Sequence, residues 1–231
     1  MNINKHKYLM MQILKDIYSD KELAVCLGFK GGTALMFFYS LPRFSVDLDF
    51  NLIDRSKERK VYEKVRTILS KYGTIFDEAM KFYGPIIVLD YGFGERKLKV
   101  EISNREFNNH YEIKNLLGIE IKVLVLPDMF AHKLCALLDR PEVTSRDIFD
   151  CWFFLQNHSP INADIVTYRT GIPFDEYLQK CIDRLSTLSD KSLMSGLGEL
   201  TDAKMKSFVK TKLRKETIQM LQFFKAFPTF V

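Results

Sequence analysis

The spacing of hydrophobic residues changes along this chain, and the change divides it into two parts. In the first part, alternation of apolar and polar residues predicts strands over 46–52 and 97–102, and further strands are expected over 86–90 and over the apolar segment 119–126. Helical spacing there predicts helices over 5–19, 33–39 and 55–71. After Pro127, which suits the first turn of a helix, the helical pattern continues, with helices expected over 127–139, 145–157, 174–187 and 203–225. We therefore predict an α+β protein with a core over 1–126 and a helical C-terminal lobe over 127–231 that shares the active-site cleft.

Composition and cysteine usage are typical of an ordinary globular protein. Hydrophobic residues make up 47% of the 231 residues and charged residues 27%. No apolar run is long enough to span a bilayer, and the amino terminus lacks the pattern of a signal peptide. The four cysteines are widely spaced without a CxxC pair, as expected for reduced, packed thiols. These features predict a cytoplasmic protein without a membrane partner.

Positive charge is concentrated at the C-terminal end. The chain carries a net charge of +5, and residues 201–231 account for it with seven Lys or Arg against two acidic residues. This basic amphipathic segment could attract RNA, an acidic partner or a membrane surface. A packed apolar face with a solvated basic face explains the pattern equally well, so charge alone does not identify a partner.

Two aspartates share the polar side of the strand predicted over 46–52. Because side chains alternate along a strand, Asp47 and Asp49 point to the face opposite Val46, Leu48 and Phe50. Paired carboxylates of this kind can bind or bridge divalent metal ions, and Glu101 could add a third if its strand is a neighbour. The alternative is a solvent-exposed strand face that is polar for solubility. Aspartate is unfavourable in strands, which favours the functional interpretation.

A glycine pair and a hydroxyl precede this strand. Gly31, Gly32 and Thr33 open a predicted helix, where backbone N–H groups can bind phosphate. The segment lacks the GxxxxGK[ST] pattern of a P-loop. A simple turn followed by a Thr cap is the structural alternative.

Charged residues of the predicted helical lobe form a third group. Lys133 lies beside the apolar stripe of the helix after Pro127, so it should face inward and could bind a triphosphate; the alternative is a lysine that extends to solvent. Asp147 and Asp150 share one side of the next helix and could orient Lys133 or Arg146, or contact the nucleotide. Capping of that helix by Thr144 or Ser145 explains Asp147 equally well.

In combination, these motifs resemble the AbiEii-type nucleotidyltransferase toxin family, within the polymerase-β-like nucleotidyltransferase superfamily. The matching segments, which span about residues 28–155, are Lys30–Leu35, Arg43–Phe50, Val100–Ile102, His132–Leu137 and Arg146–Asp150. The resemblance implies a small mixed sheet with helices, followed by a helical C-terminal lobe. The superfamily's usual Gly-Ser is Gly-Thr here, the third carboxylate is a Glu, and the chain is shorter than many members.

The resemblance also implies roles for individual residues. Asp47 and Asp49 would bind the metal, Thr33 would contact phosphate, and Lys133 and Asp147 would match the later catalytic motifs. Members act as toxins of toxin–antitoxin pairs; they are similar to enzymes that add nucleotides to the 3′ end of tRNA, and others bind GTP.

These observations lead to one main hypothesis and two alternatives. The main hypothesis is a nucleotidyltransferase, dependent on Mg²⁺ or alternatively Mn²⁺, that transfers a nucleoside monophosphate from an NTP to an RNA end such as that of tRNA. As a toxin it would have a cognate antitoxin. The first alternative is transfer to a protein hydroxyl. The second is a non-catalytic module that binds nucleotide or RNA.

Overall fold

A computed structural model describes residues 1–189, 197 and 202–230. It divides the chain into two compact units. The first comprises Met1–Ser40, Ser45–Glu106 and Tyr111–Leu124, and the second comprises Leu41–Phe44, Phe107–His110 and Val125–Val231. Two short segments that precede residue 126 therefore belong to the helical unit. The reason is visible in their contacts, because Arg43 pairs with Asp150 and His110 bonds Asp128.

The first unit is built on a sheet of seven strands, counted within the described residues. The strands are β1 (Leu27–Lys30), β2 (Leu48–Leu52), β3 (Thr74–Lys81), β4 (Gly84–Asp90), β5 (Leu98–Ser103), β6 (Tyr111–Leu116) and β7 (Ile119–Leu124). Their order is β3-β4-β5-β2-β1-β7-β6. The β2–β5 and β1–β7 pairs are parallel and the remaining pairs antiparallel. The sheet is therefore mixed, as the resemblance implied.

Within the described residues, four helices of this unit contact the sheet. They are α1 (Ile3–Ser19), α2 (Lys21–Cys26), α3 (Gly31–Phe38) and α4 (Glu58–Leu69), with a short 3-10 turn over Arg55–Lys57. Helix α1 contacts α4 and β7, and α4 also packs on β3 and β4. Their buried residues recur every three or four positions, which confirms the amphipathic pattern predicted for 5–19 and 55–71.

Three strands and helix α2 were not predicted from the sequence. Strands β3 and β6 form the two edges of the sheet, and most residues of β3 are exposed. An edge strand with little buried surface lacks the apolar alternation on which the prediction depends. Strand β1, in contrast, is short and lies in the middle of the sheet, and its residues are almost entirely buried. A strand that is buried on both faces shows no alternation of apolar and polar residues either.

The second unit is helical. Its helices are α5 (Leu126–Asp139), α6 (Ser145–Gln156), α7 (Ala163–Thr170), α8 (Phe174–Ser186), α9 (Ala203–Thr211) and α10 (Leu213–Ala226). Helix α6 is its centre, because every residue from Ile148 to Leu155 is buried. Aromatic rings dominate the packing: Phe130 of α5 stacks on Phe154 at 4.8 Å between ring centroids. The helices predicted over 127–139, 145–157 and 174–187 are confirmed.

Two features of this unit differ from the prediction. Helix α7 was missed because its short sequence buries only Ile165 and Val166. The single helix expected over 203–225 is two helices, with Lys212 between them in a non-helical conformation. The basic segment keeps the expected division, with Val209, Leu213 and Leu221 buried and most of its lysines exposed. Residues 201 and 231, at its ends, lie outside the described residues.

Two further expectations concern the cysteines and membranes. All four cysteines are free and buried, which confirms the prediction of packed thiols. Of the helices that the structure describes, none combines the length and apolar character that a membrane span requires.

Candidate active site

The acidic residues of the first unit lie side by side on one face of the sheet. Strand β2 pairs with β1 and β5, and its Asp49 is opposite Lys30 on one side and Glu101 on the other. Residues paired across neighbouring strands project to the same face. Asp47 immediately precedes β2 and shares this face by alternation. The expectation that the strands of Asp49 and Glu101 are neighbours is confirmed.

The carboxylates of Asp47 and Asp49 are half-buried and make no hydrogen bond or ion pair with any residue that the structure describes. Burial raises the pKa of Asp49, and the charges of Asp47 and Glu101 raise it further, against the opposing effects of Lys99 and Lys30. Two adjacent carboxylates without partners among the described residues leave oxygen ligands available to a cation. The donor set therefore fits a hard divalent ion such as Mg²⁺, which often takes only one or two carboxylates from a protein.

The carboxylate of Glu101 is less available for metal binding than those of the two aspartates. Its carboxylate pairs with Lys99 Nζ at 2.9 Å, and although burial alone would raise the pKa of Glu101, the charges of Lys99, Lys30 and Arg105 together lower it. Among the described residues, no three His, Cys, Asp or Glu side chains form a ready-made metal site. The metal-binding role of Glu101 stays a prediction, and Lys99, which the sequence reasoning did not include, is its immediate partner.

The glycine turn supports the aspartates through close contacts. Gly31 has a left-handed φ of +82°, and a Cβ placed on it would lie 2.5 Å from Asp49 Oδ2. Only glycine leaves room for the carboxylate at this point. Thr33 is not the N-cap of α3, because that position is Lys30. The buried Thr33 hydroxyl instead donates a hydrogen bond to the backbone carbonyl of Asp47.

A buried histidine binds the backbone carbonyl that precedes the one bound by Thr33. His6 Nε2–H donates to the carbonyl oxygen of Val46 at 2.9 Å, and the Tyr91 hydroxyl donates to His6 Nδ1 at 2.6 Å. Burial lowers the pKa of His6, which favours the neutral ring. Consecutive peptides at Val46 and Asp47 are thus anchored by His6 and Thr33. No signal in the sequence pointed to His6, because its partner lies 40 residues away.

The second unit contains a buried cluster of opposite charges. Asp150 accepts two hydrogen bonds from the Arg43 guanidinium, both at 2.7 Å, and pairs with Lys133 Nζ at 2.7 Å. Burial acts to raise the pKa of Asp150, but Arg43 and Lys133 outweigh it and lower the pKa from 3.8 to about 2. Burial likewise acts to lower the pKa of Lys133, yet Asp150 and Asp147 raise it. The prediction that Lys133 faces inward is confirmed.

Asp147 has two roles in this cluster. Its backbone N–H bonds the Thr144 side chain, which caps α6 as expected, and its carboxylate accepts the Thr144 hydroxyl at 2.6 Å. The same carboxylate lies 3.7 Å from Lys133 Nζ and 3.4 Å from Arg140 Nε. Arg146 is half-exposed and makes no hydrogen bond or ion pair with the described residues, so Asp147 and Asp150 orient Lys133 and not Arg146.

The predicted site residues therefore fall into two groups, one in each unit. Gly31, Thr33, Asp47, Asp49 and Glu101 gather on the sheet, where Gly32 lies buried in the first turn of α3. Lys133, Asp147 and Asp150 gather between α5 and α6. Sequence reasoning missed Arg43, although a conspicuous arginine precedes the aspartates. That the helical lobe shares one active site with the sheet stays a prediction.

Several solved structures resemble this chain over most of its length. JHP933 from Helicobacter pylori is 22% identical, with a TM-score of 0.60 over 97% of this chain and 92% of that chain. A second H. pylori structure is 22% identical, with a TM-score of 0.61 over 96% and 94%. An antigenic nucleotidyltransferase-like protein from Paracoccidioides brasiliensis is 12% identical, with a TM-score of 0.50 over 80% and 93%. At these identities the likeness shows the fold.

Sequence comparison identifies the family. No curated protein matches the chain. The family model described as the nucleotidyl transferase AbiEii toxin of type IV toxin–antitoxin systems matches residues 12–226, which is nearly the whole sequence and includes both groups of predicted site residues. The chain therefore belongs to the AbiEii nucleotidyltransferase toxin family and is a nucleotidyltransferase.

Proposed function

We propose that this protein transfers a nucleoside monophosphate from an NTP to the 3′-hydroxyl of an RNA, with tRNA as the acceptor class, in a reaction that requires Mg²⁺ or Mn²⁺. The 3′-oxygen forms a bond to the α-phosphorus, and pyrophosphate leaves. One observation carries the proposal. Asp47 and Asp49 present carboxylates on the same sheet face, and no residue that the structure describes occupies them. A divalent ion, when bound, would neutralise triphosphate charge and activate the attacking 3′-hydroxyl.

The residues around this pair would hold it in position. Asp49 lies against Gly31, and the Thr33 hydroxyl fixes the peptide of Asp47. The first turn of α3, which contains Gly31 and Gly32, has backbone N–H groups, and we propose that they bind a phosphate at the positive end of this helix. Thr33 contributes through Asp47, so its proposed role is positioning and not direct phosphate contact.

The charge cluster of the second unit supports a nucleotide-binding role. Lys133 remains partly accessible and protonated, because Asp147 and Asp150 raise its pKa. Arg43 and Asp150 hold it in one orientation through the buried pairs described above. We propose that Lys133 binds a phosphate of the NTP as a point charge and that Arg146, which has no ion-pair partner among the described residues, adds a second cation.

Charge favours RNA over a protein as the acceptor. The net charge of +5 comes from residues 201–231, and the lysines of α9 and α10 are mainly exposed. A cationic surface raises the affinity for any polyanion. We further propose that a cognate antitoxin is encoded beside this protein, in keeping with its family.

Labelling of RNA tests the reaction. The purified protein is incubated with total RNA and each α-³²P-labelled NTP in turn, with Mg²⁺, with Mn²⁺ or with EDTA. We expect label in RNA that requires a divalent ion and that Asp47→Asn and Asp49→Asn each abolish. Asp164→Asn is the matched control, because Asp164 is an exposed aspartate in the first turn of α7. Its labelling should equal that of the wild type.

Two outcomes would contradict the proposal. Label that appears in protein and not in RNA would identify a protein hydroxyl as the acceptor. Labelling that persists in both aspartate variants would show that the metal-binding assignment is wrong. Mn²⁺ binding measured by electron paramagnetic resonance provides a readout independent of turnover, and both aspartate variants should bind Mn²⁺ more weakly than Asp164→Asn does.

A further inference from the structure

The tip of the β3–β4 hairpin exposes two aromatic rings. Phe82 and Tyr83 form the turn between the strands, and 88% of Phe82 and 57% of Tyr83 are accessible to solvent. Their rings meet edge to face, with centroids 4.9 Å apart and an interplanar angle of 78°. Tight turns ordinarily consist of small polar residues and glycine. Two adjacent exposed rings at such a position therefore indicate a binding surface.

Cations accompany these rings. The guanidinium of Arg105 lies over the Tyr83 ring, 5.0 Å from its centroid, and Arg105 Nε donates to Ser103 Oγ at 3.4 Å. Lys81 directly precedes Phe82 and makes no ion pair with the described residues. The nearby Glu106 is held by Arg55 at 3.1 Å. Phe82, Tyr83 and Arg105, which we call the stacking patch, thus combine flat rings with positive charge.

The stacking patch belongs to the same unit as the acidic face, and the strand register gives the separation between their backbones. Ile86 of β4 pairs with Glu101 of β5, so Tyr83 is three residues, or about 10 Å, along the strand direction from Glu101. Asp49 lies one strand beyond Glu101, which places it about 10 Å from β4 across the sheet. The two displacements combine to a backbone separation of about 14 Å in the plane of the sheet. Arg105 also contributes to the lowered pKa of Glu101, as expected for a charge on this side of the sheet.

Rings and guanidinium planes of this kind recognise unpaired bases. Every base has a π-face, so stacking on aromatic residues and Arg is tolerant of sequence, whereas the bases of a duplex are already stacked on one another. Stacked nucleotides advance about 3.4 Å each, so about 14 Å corresponds to about four nucleotides. We propose that the stacking patch binds unpaired bases of the acceptor RNA about four nucleotides from its 3′ end. This inference rests on the proposed transfer to RNA.

Binding of a short RNA tests the inference without turnover. The probe is a 5′-fluorescein-labelled, unstructured 12-nucleotide RNA, and its affinity is measured by fluorescence anisotropy in the absence of NTP and divalent ions. Stacking contributes roughly 1–3 kcal/mol per base, so we expect the double variant Phe82→Ala/Tyr83→Ala to weaken binding at least about 5-fold. Phe93→Ala is the control, because Phe93 is a fully exposed phenylalanine in the turn after β4. It should leave the affinity unchanged.

Salt dependence separates stacking from charge. Loss of the rings should lower the affinity without changing the slope of log K against log [salt]. Arg105→Gln should lower the affinity and also reduce the magnitude of that slope, by the amount that corresponds to about one phosphate contact. The conservative variant Phe82→Tyr/Tyr83→Phe keeps two rings and should bind as the wild type does, and an unchanged circular dichroism spectrum of the alanine variant would exclude a folding defect. A duplex RNA of equal length should show little response to the alanine substitutions.

The outcomes separate this inference from the proposed function. Asp47→Asn should lose transfer yet bind the probe normally, because the aspartates are not part of the stacking patch. If the alanine variants bind RNA as the wild type does while transfer to RNA proceeds, the inference is wrong and the proposed function stands. Unchanged RNA binding together with label that enters protein and not RNA would overturn both in favour of a protein acceptor.

Discussion

Replacement of Asp150 by asparagine should destabilise the second unit by an amount that depends on pH. Asp150 is fully buried and pairs with Arg43 and Lys133. The amide would keep the size of the side chain but leave the buried Arg43 guanidinium and the partly accessible Lys133 ammonium without their carboxylate. The remaining partner of Lys133 would be Asp147, at 3.7 Å.

The magnitude follows from the pKa of Asp150. Its folded value of about 2 lies below the ordinary value of 3.8. At about 1.4 kcal/mol per pKa unit, this difference corresponds to about 2 kcal/mol of stability. A carboxylate whose pKa is lowered on folding stabilises the fold above pH 3.8, and the contribution is lost as the pH falls through 2. Breaking a buried ion pair costs about 3–5 kcal/mol, so we expect a deficit of about 2–5 kcal/mol at pH 7.

Urea unfolding can be followed through the intrinsic fluorescence of this unit. The chain has one tryptophan, Trp152, which lies on α6 two residues after Asp150 and packs against Phe149 and Phe208. We expect Asp150→Asn to shift the midpoint to lower urea concentration at pH 7. The difference from wild type should shrink by about 1 kcal/mol at pH 3, because Asp150 is then partly protonated in the unfolded wild type.

Arg146→Gln is the control for this experiment, since Arg146 lies on the same helix without an ion pair to the described residues. It should stay within about 0.5 kcal/mol of wild type. An Asp150→Asn variant as stable as this control, or one whose deficit is the same at pH 3 and pH 7, would refute the electrostatic reasoning.

Three further substitutions test the acidic face. Gly31→Ala should cost about 1–2 kcal/mol, because its φ is left-handed; its Cβ should also displace Asp49, so Mn²⁺ titration should show weaker binding. Lys99→Met removes a cation beside the carboxylates, so Mn²⁺ should bind more tightly, and weaker binding would contradict this account. Thr33→Val leaves the carbonyl of Asp47 without its hydroxyl donor, so the melting temperature should fall by the equivalent of about 1 kcal/mol, whereas Thr33→Ser should resemble wild type.

Local patterns predicted the elements whose burial is one-sided. Leu48 and Phe50 are buried in β2 while Asp49 faces the other way, so alternation alone located the acidic face. Lys133 was placed correctly by its position next to an apolar stripe. The same reasoning failed for β3 at the sheet edge and for β1 at its centre, because neither has one buried and one exposed face.

Partners that are distant in sequence could not be predicted. Arg43 and Asp150 are 107 residues apart, and His6 and Val46 are 40 residues apart. Nothing in a local pattern indicates which of many polar residues will meet. The exposed rings of Phe82 and Tyr83 were likewise invisible, because a sequence does not state which aromatic residues stay outside the core.

The sequence by itself determined which residue types could perform the chemistry and, through periodicity, that Asp47 and Asp49 share a strand face. Only the tertiary structure decided the partners of each charge. In the folded protein Lys99 forms an ion pair with Glu101, and Asp150 pairs with Arg43 and Lys133. Asp47 and Asp49 make no hydrogen bond or ion pair with the described residues. The physical reason is that periodicity depends on local backbone geometry, whereas the environment of a charge depends on residues that chain folding brings close.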